Sequence, residues 1–303
     1  MFFVRFWGVR GSIPCPGPDT VVYGGNTACL EIRVDNRLII LDLGTGAKPL
    51  ADYIIANDLK KGPLDMDIFI SHTHWDHIMG FPMFAPVFIS GTKLRIRGPV
   101  SYNDETLASI IGDQLSYRYW PVRQSELSAK IEYEELKETT IDLGNGLKVM
   151  TKYLNHPLLC LGYRFEYHGK SIVTVFDHEP YRNLFPTNPE DPNYNEEAAL
   201  DGEEAVKEEN EKILNFCKGA DILIHDAQYS AAELEKHLGW GHSSYDYAMQ
   251  AAGKAEVKKL VFFHHDPNYI DKKLESLEEQ CKNDVKGKGF EVIMAREGLK
   301  IEA

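Results

Sequence analysis

The chain lacks the features that would assign it to several common classes. Its five cysteines, Cys15, Cys29, Cys160, Cys217 and Cys281, are odd in number and widely spaced, and no CxxC pair occurs. That pattern argues against a zinc ribbon or a disulfide framework and points to free thiols in a reducing cytoplasm. Basic residues are in the minority: 33 Lys and Arg against 46 Asp and Glu give a net charge of −13. A field of that sign repels phosphate backbones and anionic lipid, so it disfavours nucleic acid as a partner without excluding it, and it disfavours a membrane surface. The longest uncharged stretch, near 78–92, is too short and too rich in Pro and Gly to span a bilayer. Residues 1–11 carry Arg5 and Arg10 within their apolar run, which leaves no signal-peptide core. No short solenoid-type repeat is present. The expected partner is therefore a small molecule, the expected location is cytoplasmic, and a homodimer is left open.

What is present suits a folded protein. A length of 303 residues with 43% apolar and 26% charged content can bury a substantial core and argues against disorder. Strand patterns occupy 2–9, 28–34, 37–41, 67–71 and 93–98 in the first third, with Asp35-Asn36 as a hairpin turn. Further strands are expected at 147–154, 161–167, 171–176, 222–224, 260–263 and 290–294, with His168-Gly169 as another turn. Helical patterns cover 47–57, 104–115, 196–217, 243–253 and 272–283, whereas 183–195 is rich in Pro and Asn and has no period. Strands followed by helices suggest two mixed sheets packed face to face with helices outside, an αββα sandwich. Periodicity itself gives mixed α and β with no obvious linker.

The sharpest chemical signal is Ser71-His72-Thr73-His74-Trp75-Asp76-His77, directly after the apolar run Ile68-Phe69-Ile70. In extended chain His72 and His74 point to one side and can share a cation, while Asp76 and His77 can face a neighbouring one. Imidazole and carboxylate suit Zn²⁺, Fe²⁺ or Mn²⁺. Two cations need more ligands than one loop supplies. His156, Asp177, and His264 or His265 each follow an apolar strand, so they gather at one rim of a sheet.

These residues resemble the metallo-β-lactamase superfamily along nearly the whole chain. His72, His74, Asp76 and His77 match its HxHxDH signature, and Asp42 in Leu41-Asp42-Leu43-Gly44-Thr45-Gly46 matches its preceding acidic motif. The resemblance implies a four-layer αββα sandwich of two mixed β-sheets, with 1–303 as a single domain and insertions near 101–135 and 182–215. It implies one metal on His72, His74, His156 and Asp177, and another on Asp76, His77, Asp177 and His264, with Asp177 bridging. Pro267, three residues on, selects His264 over His265. The implied cofactors are two divalent metal ions, Zn²⁺ first, with Mn²⁺ or Fe as alternatives. Asp42 could accept a hydrogen bond from a ligand imidazole and fix its tautomer.

Both ends of the chain narrow the branch. Phe6-Trp7-Gly8-Val9-Arg10-Gly11-Ser12-Ile13-Pro14 and Tyr23-Gly24-Gly25-Asn26-Thr27-Ala28-Cys29 look like the opening of phosphoribosyl cyclic phosphodiesterases and of tRNase Z. Ile224-His225-Asp226-Ala227-Gln228 and Gly241-His242-Ser243-Ser244 are similar to the paired His-Glu-Ala-Thr and His-Ser-Thr motifs of tRNase Z, with Asp226 in place of Glu and Gln228 in place of Thr. No long Gly-Pro-rich arm for gripping tRNA is recognisable. Thr73 and Trp75 fill positions where diiron flavoproteins usually carry a Glu, which disfavours redox chemistry.

The implied activity is that of a binuclear hydrolase acting on a small-molecule phosphodiester, small or cyclic, through a hydroxide between the cations. The catalytic candidates are Asp76, His242 and Asp226, with His242 donating a proton to the leaving group and Asp226 orienting it. His178 and Arg10 are further candidates for the pocket. Tyr117-Arg118-Tyr119-Trp120 either walls that pocket or forms a satellite core, and the acidic segment 196–211 reads as a solvated helix face. The alternatives are a tRNase Z-like RNA-processing endonuclease and a non-hydrolytic metal-site sensor of oxygen or a nucleotide.

Overall fold

The computed structural model describes residues 1–101 and 105–303. Among them, the first sheet uses β1 (Phe2–Gly8), β2 (Cys29–Val34), β3 (Arg37–Leu41), β4 (Asp65–Phe69), β5 (Lys93–Pro99) and β6 (Lys130–Leu136). The second uses β7 (Thr140–Gly144), β8 (Leu147–Leu154), β9 (Cys160–Tyr167), β10 (Lys170–Val175), β11 (Ile222–Asp226), β12 (Lys259–Phe263) and β13 (Glu291–Met294). The last strand, β14 (Lys300–Glu302), returns to the first sheet and pairs antiparallel with β1. The strand orders are β14-β1-β2-β3-β4-β5-β6 and β13-β12-β11-β10-β9-β8-β7, seven strands each.

The two sheets share one logic. In the first, β1, β2 and β3 are antiparallel neighbours, and β3 to β6 run parallel. In the second, β7 to β10 are antiparallel and β10 to β13 run parallel. Parallel strands need crossovers, which bring their carboxyl ends to one rim, and loops at that rim form ligand sites in open α/β sheets. β3, β4, β10, β11 and β12 end immediately before or within Asp42, the 71–77 loop, Asp177, Asp226 and His264.

The helices are α1 (Ala47–Asn57), α2 (Trp75–Ile78), α3 (Leu107–Gly112), α4 (Glu196–Cys217), α5 (Ala231–Leu234), α6 (Tyr245–Lys254) and α7 (Asp271–Asp284). Period-two alternation in the strands gives each sheet two apolar faces. The inner faces meet in one core containing Val4, Phe6, Ile39, Phe69, Tyr163, Phe165, Ile224 and Phe263. The outer face of the first sheet packs on α1 and α3 through Ile40, Leu50, Ile54, Ile68, Ile96 and Leu107. The outer face of the second packs on α4, α6 and α7 through Val175, Ile213, Ala248, Phe262 and Leu274. This is the expected αββα sandwich. No helix among the described residues is long and apolar enough to cross a membrane.

Several boundaries differ for local reasons. β4 spans 65–69 rather than 67–71, because the Ser71 N–H leaves the ladder and donates to Asp42 Oδ1 at 2.7 Å. The helix expected over 104–115 is shorter: Thr106 and Ser109 cap each other and start α3 at Leu107, a 3₁₀ turn follows at Asp113–Leu115, and Asp104 lies outside the described residues. Ser244 accepts from Tyr247 N and so starts α6 at Tyr245, not at 243. Strands β6, β7 and β14 were not anticipated.

Candidate metal centre

The 71–77 loop leaves β4 with His72 buried and His74 exposed. His74 is extended at φ −62° and ψ 151°, and α2 then turns Asp76 and His77 inward. Two sets of ligand atoms result, each with all its atoms within 4.8 Å of one another: His72, His74, His156 and Asp177; and Asp76, His77, Asp177 and His264. In the first set, His74 Nδ1 lies 3.0 Å from His72 Nε2 and 3.1 Å from His156 Nε2. Asp177 Oδ2 is 3.5 Å from His72 Nε2. In the second set, His77 Nε2 and His264 Nε2 are 3.1 Å apart, and Asp177 Oδ1 is 3.3 Å from each. Asp76 Oδ2 is 3.1 Å from His264 Nε2 and 3.4 Å from His77 Nε2. Asp177 thus turns one oxygen to each set. His265 stays out: its Nε2 donates to Ala295 O at 2.9 Å.

These residues fit cations. His77 Nδ1 donates to Asp42 Oδ2 at 2.7 Å, His264 Nδ1 to Gln228 Oε1 at 3.1 Å, and His156 Nδ1 to Gly241 O at 3.0 Å. With those protons committed, the Nε2 atoms of His77 and His264 face each other at 3.1 Å, a contact that is favourable only with a proton or a cation between them. Two nitrogens on one tetrahedral Zn²⁺ at 2.0–2.1 Å would be about 3.3 Å apart, close to the spacings found. Asp177 Oδ1 is buried with no hydrogen-bond partner.

Electrostatics agree. Burial holds His72 well below the ordinary histidine range and lowers His74, and it pushes His156 down to about 4. All three are kept neutral, the form that binds metal. Burial also opposes charge on Asp177, but attraction to His264 and then His77 outweighs it and lowers its pKa. Three non-glycine residues at this rim adopt left-handed backbone: Ser12 at φ 63°, Asp42 at 59° and His264 at 63°. Such strain persists where surrounding contacts over-determine it.

No family model matches the chain. Among relatives, ribonuclease BN of Citrobacter koseri is 27% identical over 280 residues, covering 81% of this chain and 84% of that protein. Ribonuclease Z of Ligilactobacillus salivarius is 26% identical over 273 residues, covering 81% and 82%. Among solved structures, the metallo-β-lactamase fold protein YhfI from Bacillus subtilis superposes with a TM-score of 0.64 at 16% identity, covering 100% of this chain and 99% of that one.

The chain has the metallo-β-lactamase fold.

A diphosphatase from the PhnP family superposes with a TM-score of 0.62 at 18% identity, covering 100% of this chain and 98% of that one. The short form of human tRNase Z gives 0.61 at 19%, covering 99% and 98%. On this metallo-β-lactamase scaffold a buried acid–base pair stands beside the ligand sets. His242 Nδ1 lies 3.0 Å from Asp226 Oδ2, and its ring stacks on that of His264 at 5.1 Å. Asp226 also accepts from the backbone N–H groups of His178, Gln228 and Ser243. Burial disfavours protonated His242, but Asp226 more than offsets it, with help from Asp177 and Asp76, and raises the pKa to about 9. Asp226, His242 and His264 also lie within ligand distance of one another, but Asp226 is saturated by these donors, so the trio reads as a hydrogen-bond network.

Three expected contributors sit elsewhere. Arg10 is fully buried and donates to the carbonyls of Gly24, Asp266 and Tyr269, so it braces loops. His178 accepts from Asn155 N and faces His225 and Tyr247, away from both sets. His225 binds the carbonyl of Asp226. In the aromatic loop, Tyr117 binds Glu126 beneath Arg123, and Trp120 packs on the outer core of the first sheet.

Sequence reading missed the supports. Ser12 N donates to Asp76 Oδ2 at 2.7 Å, and Gln228 Nε2 donates to Ser12 Oγ at 3.3 Å. Gly11 admits the His264 ring, since a Cβ there would lie 2.4 Å from it. Gly241, at φ +84°, lets its carbonyl reach His156, and a Cβ would lie 2.1 Å from that ring's Nδ1. Ser12, Gln228 and Gly241 all stood inside the quoted motifs, which was the available signal.

Proposed function

We propose that the protein is a binuclear metal-dependent hydrolase that cleaves a small or cyclic phosphodiester. The observation that carries this reading is the split of Asp177, with Oδ2 toward His72 and Oδ1 toward His77 and His264. His72, His74, His156 and Asp177 would hold one cation, and Asp76, His77, Asp177 and His264 the other. Nitrogen and oxygen donors suit Zn²⁺ first, with Mn²⁺ or Fe as alternatives. Once bound, the cations supply a nucleophile near neutral pH and neutralise charge on the phosphate oxygens.

The chain's own residues do the rest. Asp42, Gln228 and the Gly241 carbonyl fix three ligand rings by binding their second nitrogens. Ser12 N–H holds the Asp76 carboxylate toward His264. His242 donates its proton to the departing oxygen, and Asp226 keeps the ring turned and charged for that step. Residues 1–303 act as one domain in the cytoplasm.

The test is metal-reconstituted protein assayed on bis(p-nitrophenyl) phosphate, then on cyclic nucleotides, cyclic dinucleotides and phosphoribosyl cyclic phosphate. Turnover abolished by a chelator and restored by metal supports the reading. Metal-loaded protein inert on every diester contradicts it.

RNA processing is the second reading, favoured by the named activity of the ribonuclease BN and Z relatives over 81% of the chain. Against it stand the mean charge, which a local surface can override, and the lack of a recognisable Gly-Pro-rich arm. Cleavage of a tRNA precursor at a rate exceeding that on every small diester would select it.

A further inference from the structure

The loop after β1 is stitched to the strand end that carries His264. His265 N donates to Val9 O at 2.9 Å, and Gly11 N donates to His265 O at 3.0 Å. The chain then reverses at Ser12. Ile13 N donates back to Gly11 O at 2.7 Å, and Ser12 sits between them at φ 63°. A three-residue turn with positive φ at its centre is the rare, strained form. Glycine takes such a backbone freely, yet a serine stands there. Strain of that kind clusters where a site uses the side chain that bears it.

Ser12 is fixed by two hydrogen bonds. Its N–H donates to Asp76 Oδ2 at 2.7 Å, and that oxygen lies 3.1 Å from His264 Nε2, so Ser12 borders the second ligand set. Its Oγ accepts from Gln228 Nε2 at 3.3 Å. The direction of that bond follows from the donors behind it. His264 turns Nε2 to the ligand set and keeps its proton on Nδ1, which donates to Gln228 Oε1 at 3.1 Å. The other end of the same buried amide, Nε2, can only donate. Ser12 Oγ is therefore the acceptor, and its own proton is left over. That proton goes to no described residue, and Ser12 is exposed. By contrast, the hydroxyls of Ser71, Ser230 and Ser243 donate within the protein, to Asp42, Glu233 and the His178 carbonyl. Donors in series polarise one another, so withdrawal of charge at His264 Nε2 strengthens the Ser12 O–H as a donor.

We infer that the Ser12 hydroxyl is a substrate contact, donating to a non-bridging oxygen of the phosphodiester at the second ligand set. The inference rests on the phosphodiesterase reading and adds to it a donor that belongs neither to the ligands nor to the Asp226–His242 pair. The oxygen it takes carries charge before and during the reaction, so the contact serves binding as well as turnover.

Ser12→Gly and Ser12→Ala, both metal-loaded, test it together. Each removes the hydroxyl and keeps the N–H to Asp76. Glycine relieves the strained turn, whereas alanine retains it. The measurements are cation content, affinity for inorganic phosphate, and kcat/KM on bis(p-nitrophenyl) phosphate. Both variants should keep two cations per chain. Both should bind phosphate about 10–100-fold more weakly and lose kcat/KM over the same range, the scale of a hydrogen bond to a charged oxygen. Wild-type phosphate affinity in both variants would overturn the inference. So would a loss confined to one of them, which would assign the effect to the turn, and so would loss of a cation from both, which would make Ser12 a brace for Asp76 and His264. A wild type that carries two cations and binds phosphate, yet is inert on every diester, would instead strike the phosphodiesterase reading. Phosphate affinity in the two variants would then still decide the Ser12 contact.

Discussion

His77 donates from Nδ1 to Asp42 Oδ2 at 2.7 Å, both side chains being wholly buried, and this turns the other ring nitrogen toward His264. Burial pushes Asp42 up from the usual carboxylate range, while Asp177, Asp76 and Asp42 outweigh burial and raise His77. Both directions keep a proton between the two residues. A cation at Nε2 then takes the nitrogen that Asp42 leaves free. Ser71, whose N–H and hydroxyl both donate to Asp42, holds that carboxylate in place.

Asp42→Asn should therefore weaken binding of the second cation by about 10–100-fold, the usual effect of losing a ligand's outer partner. Metal titration against a competing chelator measures this. Unchanged affinity would mean that Asp42 is only a turn residue.

Asp177→Asn should cost more activity than stability. Each cation loses a charged oxygen, so turnover of bis(p-nitrophenyl) phosphate should fall at least about 100-fold, more than the loss of an outer partner brings. The urea midpoint of the metal-free protein should fall far less than turnover does, because the isosteric Asn loses only the attraction of Asp177 to its histidine neighbours. Near-normal turnover would show that the bridge is misplaced.

His242→Ala should keep both cations and lose turnover selectively. A p-nitrophenolate departs without a proton, whereas a ribose alkoxide needs one, a difference worth about 10²–10⁴-fold. The defect should be small on the chromogenic ester and large on a nucleotide. Equal defects would leave His242 as a positioning residue, and loss of metal would make it a ligand.

Asp67 offers a pH test remote from the metals. Burial raises its pKa, but hydrogen bonds from Arg95, Arg97 and Arg37 outweigh this and lower it to about 2. A depressed carboxylate stabilises the fold above its unfolded pKa, near 3.8, and loses that contribution as pH falls toward 2. The shift corresponds to roughly 2 kcal/mol. The unfolding free-energy gap between wild type and Asp67→Asn should thus be full at pH 6 and shrink between pH 4 and pH 2. A gap independent of pH would contradict this assignment.

The histidine loop was legible because its ligands are contiguous and follow an apolar strand. His156, Asp177 and His264 were legible only as residues at strand ends, and the resemblance assigned them to a pair of cations. Gln228, Ser12 and Gly241 were not assigned because they act across long sequence separations, 216 residues for Gln228 to Ser12, and partly through backbone atoms. Edge strands β6 and β7 escaped because their outer residues are mostly exposed and charged, as in Lys130, Glu132 and Glu134. The Asn145-Gly146 turn, with both residues at positive φ, was a hairpin signal for β7 that went unused. The Asp67 cluster has its arginines on β3 and β5, so no single segment reveals it.

The central claim is that two cations sit on two ligand sets joined by Asp177. Elemental analysis of purified protein tests it most directly, alongside His74→Ala and activity on bis(p-nitrophenyl) phosphate. Two cations per chain are expected in the wild type, at most one in His74→Ala, and activity that follows metal content. A metal-free protein that still turns over the diester would contradict it.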